Sequence, residues 1–231
     1  MASNKKKVYA GFTGMAAAGL GIAGFAAAAP AAVAAASTWD VTNGGHYTAH
    51  NTNTNVFHDV TGNQTISCPV STVSASGAIK SGKSVSNPIG TVSKFIAGTT
   101  TAPCSGPFGL KFAGTGSQFP WHLNASKSST PTSHPQGVIT GSLSGIHVHA
   151  AALPGGITSC SFSVSGKVPG KYYNSTGILS VLNSKSSLHI TNVHGCAGLI
   201  KSSDKATYAG LLSIKTGPNG SLHPTIHHNI S

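Results

Sequence analysis

Short segments in which apolar and polar residues alternate recur along most of this chain. Because successive side chains of a β-strand point to opposite faces, such alternation is typical of strands with one buried face and one wet face. Long helical periodicity is missing, and stretches such as Asn43-Gly44-Gly45 and Gly217-Pro218-Asn219-Gly220 predict turns. The pattern predicts an all-β fold, an antiparallel sandwich or barrel of ten or more short strands. The apolar sets that share a face are Phe108, Leu110 and Phe112; Phe119, Trp121 and Leu123; Ile146 and Val148; Cys160, Phe162 and Val164; Leu188 and Ile190; and Tyr208, Leu212 and Ile214.

The spacing of the four Cys indicates an internal repeat. Cys68 and Cys104 are 36 residues apart, Cys160 and Cys196 are also 36 residues apart, and the two pairs are offset by 92 residues. Four Cys allow three pairings. A duplicated unit of about 90 residues, supported by similar residues around both pairs, favours Cys68–Cys104 and Cys160–Cys196. We therefore expect two structural disulfides, one in each of two similar halves.

The first 36 residues have the organisation of a Sec-type signal peptide. Three Lys at positions 5–7 precede an Ala- and Gly-rich apolar run, which ends in small residues before Ser37. Signal peptidase requires small side chains at the cleavage site, so we expect cleavage between Ala36 and Ser37. An uncleaved membrane helix is the alternative, but the run is weakly hydrophobic and no stop-transfer charges follow it. No later stretch reaches the roughly 18 apolar residues of a spanning helix, so no transmembrane anchor is predicted.

The composition narrows the choice of partners. The chain has 14 cationic residues, all Lys, against three acids, all Asp, and its formal net charge is +11. Loss of the three N-terminal Lys lowers this charge to +8. A basic exported protein could contact anionic cell-wall polymers. Nucleic acid is disfavoured because Arg is absent and the Lys are scattered, and scattered Lys are also explained by solubility alone.

A metal site is the sharpest chemical hypothesis that the sequence offers. His147 and His149 are two residues apart on a predicted strand, so both imidazoles project from one face and could share a metal ion. Against this, carboxylate ligands are scarce and every Cys is assigned to a disulfide. Plain surface His residues explain the same pattern, and we predict no resident cofactor.

Catalysis is disfavoured by the shortage of acids. Carboxylate-pair chemistry would have to use two of Asp40, Asp59 and Asp204. A Ser-His-Asp hydrolase would depend on Asp59, the acid that follows His58 in a strand-like segment, and no Gly-x-Ser-x-Gly turn occurs. We therefore predict that the chain is not an enzyme.

Carbohydrate binding requires exposed aromatic side chains. In this sequence Trp121 lies in phase with apolar neighbours and is expected in the core. The remaining candidates for an exposed platform are Trp39, Tyr47, Tyr172 and Tyr173.

Three stretches resemble secreted β-rich proteins that high-GC Gram-positive bacteria encode in many copies. They are Ile66-Ser67-Cys68, the stretch from Asn174 to Leu179, and the run from Leu188 to Ile200, together with the Ala-rich leader. These motifs are turns and Cys rather than catalytic signatures. The resemblance implies an extracellular β-rich fold and carries no assigned function.

Taken together, the sequence predicts a signal peptide over residues 1–36 and a mature all-β domain over residues 37–231. The domain is expected to be internally duplicated, at about 37–130 and 131–231. The leading hypothesis is a secreted, non-enzymatic structural or adhesive protein, free in the medium or associated with the cell wall, that contacts anionic envelope polymers. The alternatives are a metal-, small-ligand- or carbohydrate-binding module and, further behind, a hydrolase. The sequence leaves the oligomeric state open.

Overall fold

The computed structural model describes residues 37–128, 137–154, 159–182 and 186–229, and over these ranges the chain is nearly all β-strand. The two short 3-10 turns are Pro107–Gly109 and Pro218–Gly220. The strands are β1 Thr38–Thr42, β2 Gly45–Asn51, β3 Asn55–Asp59, β4 Gln64–Cys68, β5 Val73–Ile79, β6 Gly82–Val85, β7 Gly90–Ala97, β8 Cys104–Ser105, β9 Lys111–Gly116, β10 Trp121–Ser128, β11 Val138–Ala152, β12 Ser161–Tyr173, β13 Ile178–Val181, β14 Ser187–His194, β15 Lys205–Thr216 and β16 Thr225–Asn229.

Most of these strands form one antiparallel sheet that closes on itself. At one end the pairing runs β2-β5-β7-β10-β11-β12-β13-β15 and returns from β15 to β2. At the other end it runs β3-β4-β8-β9-β11-β12-β14-β15 and returns from β15 to β3. The long strands β11, β12 and β15 belong to both ends. The predicted all-β antiparallel class is confirmed, and the pairing closes the sheet as a barrel with eight strands around each end.

The alternating apolar side chains point into this barrel and form its core. In β11 a bulge keeps the apolar residues on the inner face along the whole strand. In β11, Ile139 and Leu143 point inward, and so do Ile146 and Val148. The change of parity is absorbed by a bulge between Ser144 and Ile146, whose register shifts against β12. A bulge adds one residue to one strand and so moves every later side chain to the other face.

The predicted alternating sets are wrong about one residue, Phe108. Phe112 is buried at the start of the barrel wall, as predicted, but Phe108 is 85% exposed. Phe108 lies in the 3-10 turn Pro107–Gly109 with a φ of 53°. The prediction that Phe108 shares a strand face with Phe112 is therefore wrong, because the chain turns between them.

A small second sheet of order β16-β1-β6 contributes to the core at the first end of the barrel. It buries Trp39 and Val41 from β1 and Ile226 from β16. Asn174, which follows β12, anchors β16 because its side chain exchanges two hydrogen bonds with the backbone of Ile226, at 2.7 and 2.9 Å. Buried residues from both sheets belong to one hydrophobic cluster.

Both predicted disulfides are present. Cys68–Cys104 joins β4 to β8, and Cys160–Cys196 joins the residue before β12 to the loop after β14, each with a Cα–Cα distance of 4.2 Å. All four Cys are buried. The staples therefore hold together short strands and loops that contribute few backbone hydrogen bonds of their own.

The two predicted halves contribute alike to the ring. The first supplies four ring positions, β2 with β3, β5 with β4, β7 with β8, and β10 with β9, and the second supplies the other four, β11, β12, β13 with β14, and β15. Common ancestry of the halves stays a prediction. The predicted signal peptide over residues 1–36 and the cleavage site at Ala36 lie outside the described residues. Within the described ranges, no helix has the length and apolar character to cross a membrane.

Candidate binding site in the barrel lumen

The barrel encloses an apolar cavity of about 140 Å³, here called the lumen. Every strand position of the ring lends side chains to its wall. The aromatic members of that wall are Tyr47, Phe57, Phe95, Phe112, Trp121, Phe162 and Tyr208. Eight-stranded barrels are wide enough either to be filled by their own side chains or to hold one small ligand. The side chains of this barrel leave part of its interior unfilled.

Small residues on three neighbouring strands account for the space. Ala97 of β7 pairs with Gly114 of β9, and Gly114 pairs on its other side with Ala150 of β11. All three line the lumen. A Cβ built at Gly114 would lie 3.4 Å from Val148 and 3.7 Å from the Ala97 Cβ, which are ordinary contact distances. The wall at this small-residue patch therefore has room for one more methyl group at position 114.

A second space of about 70 Å³ lies between the barrel and the small sheet. It ends at Ile226 of β16, and the residues that it shares with the wall of the lumen are Leu123, Leu143, Val168, Leu179, Val181 and Ile214. The two spaces are therefore neighbours, with a layer of aliphatic side chains common to both walls.

Polar groups in the wall of the lumen are few. Tyr47 and Tyr208 line it, and burial raises the pKa of both phenols above its ordinary value, so both stay protonated. Asn55 of β3 donates a hydrogen bond from Nδ2 to the hydroxyl of Tyr208. The Asn55 side chain is fully buried, and its Oδ1 has no hydrogen-bond partner within the described ranges.

The sequence-predicted metal candidates lie elsewhere. His147 and His149 share the outer face of β11, opposite Ser165 and Ser163 of β12, so their predicted orientation is correct. Among the described residues, no group of three His, Cys, Asp or Glu side chains is placed to hold a metal ion. The structure thus places both His residues on one strand face, and the described residues supply no third ligand from that set.

The side chains of all three acids accept hydrogen bonds from backbone N–H groups. Asp40 accepts a hydrogen bond from the Ser84 N–H at 2.9 Å, and Asp204 accepts one from the Lys201 N–H at 2.9 Å. Asp59 accepts bonds from the N–H groups of Thr61 and Gly62 at 3.0 and 2.9 Å. Burial, followed by the charge and hydrogen bonding of the neighbouring Asp204, raises the pKa of Asp59 despite these donors. Two of the three acids of the chain therefore lie side by side.

Most of the aromatic candidates for a sugar platform are inside the protein. Trp39, Trp121, Tyr47 and Tyr172 are buried, and the Trp121 indole donates to the Ser117 carbonyl at 2.9 Å. Tyr173 alone among the five candidates remains half-buried. The predicted core position of Trp121 is correct.

The lumen itself was missed by the sequence reasoning, although a signal existed. Ala75, Ala97 and Ala150 occupy inward positions on strands that also carry large inward residues, so small residues in phase with large ones mark an interior space. Comparison with known proteins gives no further guide, since no family model, no curated protein and no solved structure matches the chain.

Proposed function

We propose that this protein is a non-catalytic extracellular binding protein that holds one small apolar molecule in its lumen. The observation that carries the proposal is the 140 Å³ apolar cavity at the centre of a closed barrel. Extracellular location is supported by the two disulfides, which form and persist in oxidising compartments.

The energetics favour an occupied lumen. At roughly 24 cal/mol per Å³, an empty cavity of 140 Å³ costs about 3.4 kcal/mol of folding stability. An apolar cavity of about 150 Å³ stays dry and binds benzene-sized molecules. A molecule with the volume of one six-membered ring therefore matches the space, and its binding would recover part of this cost.

Titration with toluene tests the proposal, with the full chain carrying both disulfides. In NMR spectra we expect saturable chemical-shift changes at the backbone amides of the lumen-lining residues of β7, β9 and β11, because toluene fills the space beside the small-residue patch. The variant Ala150→Leu should abolish these changes, because the larger side chain occupies the same space. Ala78→Leu is the matched control, since Ala78 lies on β5 outside the wall of the lumen. Absence of saturable binding to the wild type, or unchanged binding to Ala150→Leu, would contradict the proposal.

Adhesion to anionic wall polymers is the second candidate, and the surface charge supports it. All three Asp side chains are engaged by backbone N–H groups, whereas every Lys in the described ranges is exposed. These are Lys80, Lys83, Lys94, Lys111, Lys127, Lys167, Lys171, Lys201, Lys205 and Lys215. Salt-sensitive retention on purified cell wall at pH 5 and pH 7 would support this candidate, and passage without retention would count against it.

A further inference from the structure

Tyr208 is one of the two hydroxyl-bearing residues that line the lumen, and its hydroxyl accepts a hydrogen bond from Asn55. Tyr208 of β15 lies opposite Phe57 of β3 in the antiparallel pairing of these strands, and both residues line the lumen. Asn55 reaches Tyr208 because position 210 is Gly: a Cβ there would collide with the Asn55 side chain. The hydrogen bond from Asn55 therefore fixes the position of this phenol in a wall whose other phenol is that of Tyr47.

This hydrogen bond leaves a donor free. Asn55 Nδ2 donates, so it occupies a lone pair of the Tyr208 oxygen and leaves the phenolic O–H hydrogen available. Among the described residues no acceptor takes that hydrogen, and the buried Oδ1 of Asn55 is also without a partner. Unsatisfied polar groups in an apolar interior cost about 1–3 kcal/mol, so a group placed to accept this hydrogen would be retained there.

We propose that the ligand of the lumen carries one oxygen atom, which accepts the O–H of Tyr208. The class is a molecule of one six-membered ring, aromatic or saturated, with a single hydroxyl or carbonyl group. This inference rests on the proposed function, since it names the chemistry of the molecule in the same cavity. Apart from Tyr47, the other side chains of the wall are apolar and give a second polar group on the ligand little to bind.

Phenol and toluene form the matched probe pair, because they differ by a hydroxyl in place of a methyl group. Their dissociation constants would be measured for the wild type, for Tyr208→Phe and for Tyr173→Phe. We expect Tyr208→Phe to weaken phenol binding about 3- to 10-fold, the effect of one ordinary hydrogen bond, and to leave toluene binding within twofold. Tyr173→Phe should change neither constant, because Tyr173 does not line the lumen.

A second measurement uses the wild type alone. Phenol, but not toluene, should shift the side-chain amide signals of Asn55, because the ligand oxygen joins the Asn55–Tyr208 hydrogen bonds. Equal weakening of both probes by Tyr208→Phe, or unchanged phenol binding, would overturn the inference while leaving the lumen as a binding site. If neither probe binds the wild type, the proposed function itself fails.

Discussion

The cavity in the barrel leads to a prediction about stability, namely that a larger side chain at the small-residue patch should stabilise the fold. Ala150→Leu adds three carbons, each worth about 0.8 kcal/mol when buried. The upper bound is therefore about 2.4 kcal/mol, within the 3.4 kcal/mol estimated above for the empty 140 Å³ cavity. Imperfect fit lowers the gain, so we expect a net increase of about 1–2 kcal/mol in the free energy of unfolding.

Urea denaturation with both disulfides intact measures this change, as a shift in midpoint at constant slope. Thermal unfolding should show an increase of about 2–8 °C in the midpoint, given the usual 2–4 °C per kcal/mol for a chain of this size. Gly114→Ala, with its Cβ at contact distance from Val148, should give a smaller increase. Ala78→Leu should give no comparable gain, because Ala78 is absent from the wall of the lumen. A loss of 1 kcal/mol or more in Ala150→Leu would refute the reasoning, since it would mean that no usable space exists there.

Two further predictions concern pH and the disulfides. The pKa of Asp59 is raised in the folded protein, so its stabilising proton is fully bound below the ordinary value of 3.8 and is lost as pH rises through the folded pKa. Asp59→Asn removes the repulsion with Asp204, so the variant should exceed the wild type in free energy of unfolding by more at pH 7 than at pH 3.5, as measured by urea denaturation. Asp40→Asn is the control, and a pH dependence of stability equal to that of the wild type would contradict this prediction. Replacing Cys160 and Cys196 together by Ser should cost about 3–4 kcal/mol, the chain-entropy value for a separation of 36 residues; a loss below 1 kcal/mol in the same assay would exclude the entropic account.

Local pattern was sufficient to predict the strands and the disulfides. Alternation identified the inward positions of β11, β12 and β15, because a barrel wall has one buried face and one wet face. The equal Cys spacing selected the observed pairing. The prediction failed at Phe108, where a left-handed residue in a 3-10 turn breaks the alternation. A turn of this kind depends on the backbone conformation of single residues, which periodicity does not report.

The candidate site could not be predicted in the same way, because it depends on residues far apart in sequence. Asp59 and Asp204 are far apart in sequence, and the β3–β15 pairing brings them close together because Asp59 lies opposite Ala206. Asn55 and Tyr208 meet through the same pairing, 153 residues apart. Closure of the barrel determines such contacts, and alternation predicts neither the ring order nor the partner of each strand.

The ring order also explains why neither half could form the lumen site alone. The small-residue patch spans the junction between the halves, since Gly114 belongs to β9 of the first half and Ala150 to β11 of the second. The Asn55–Tyr208 hydrogen bond spans the other junction, between β3 and β15. These two junctions lie four strand positions apart in a ring of eight, on opposite sides of the barrel. The space for a ligand and the group that would orient it therefore face each other across the lumen. Both arise only when the two halves close into one ring.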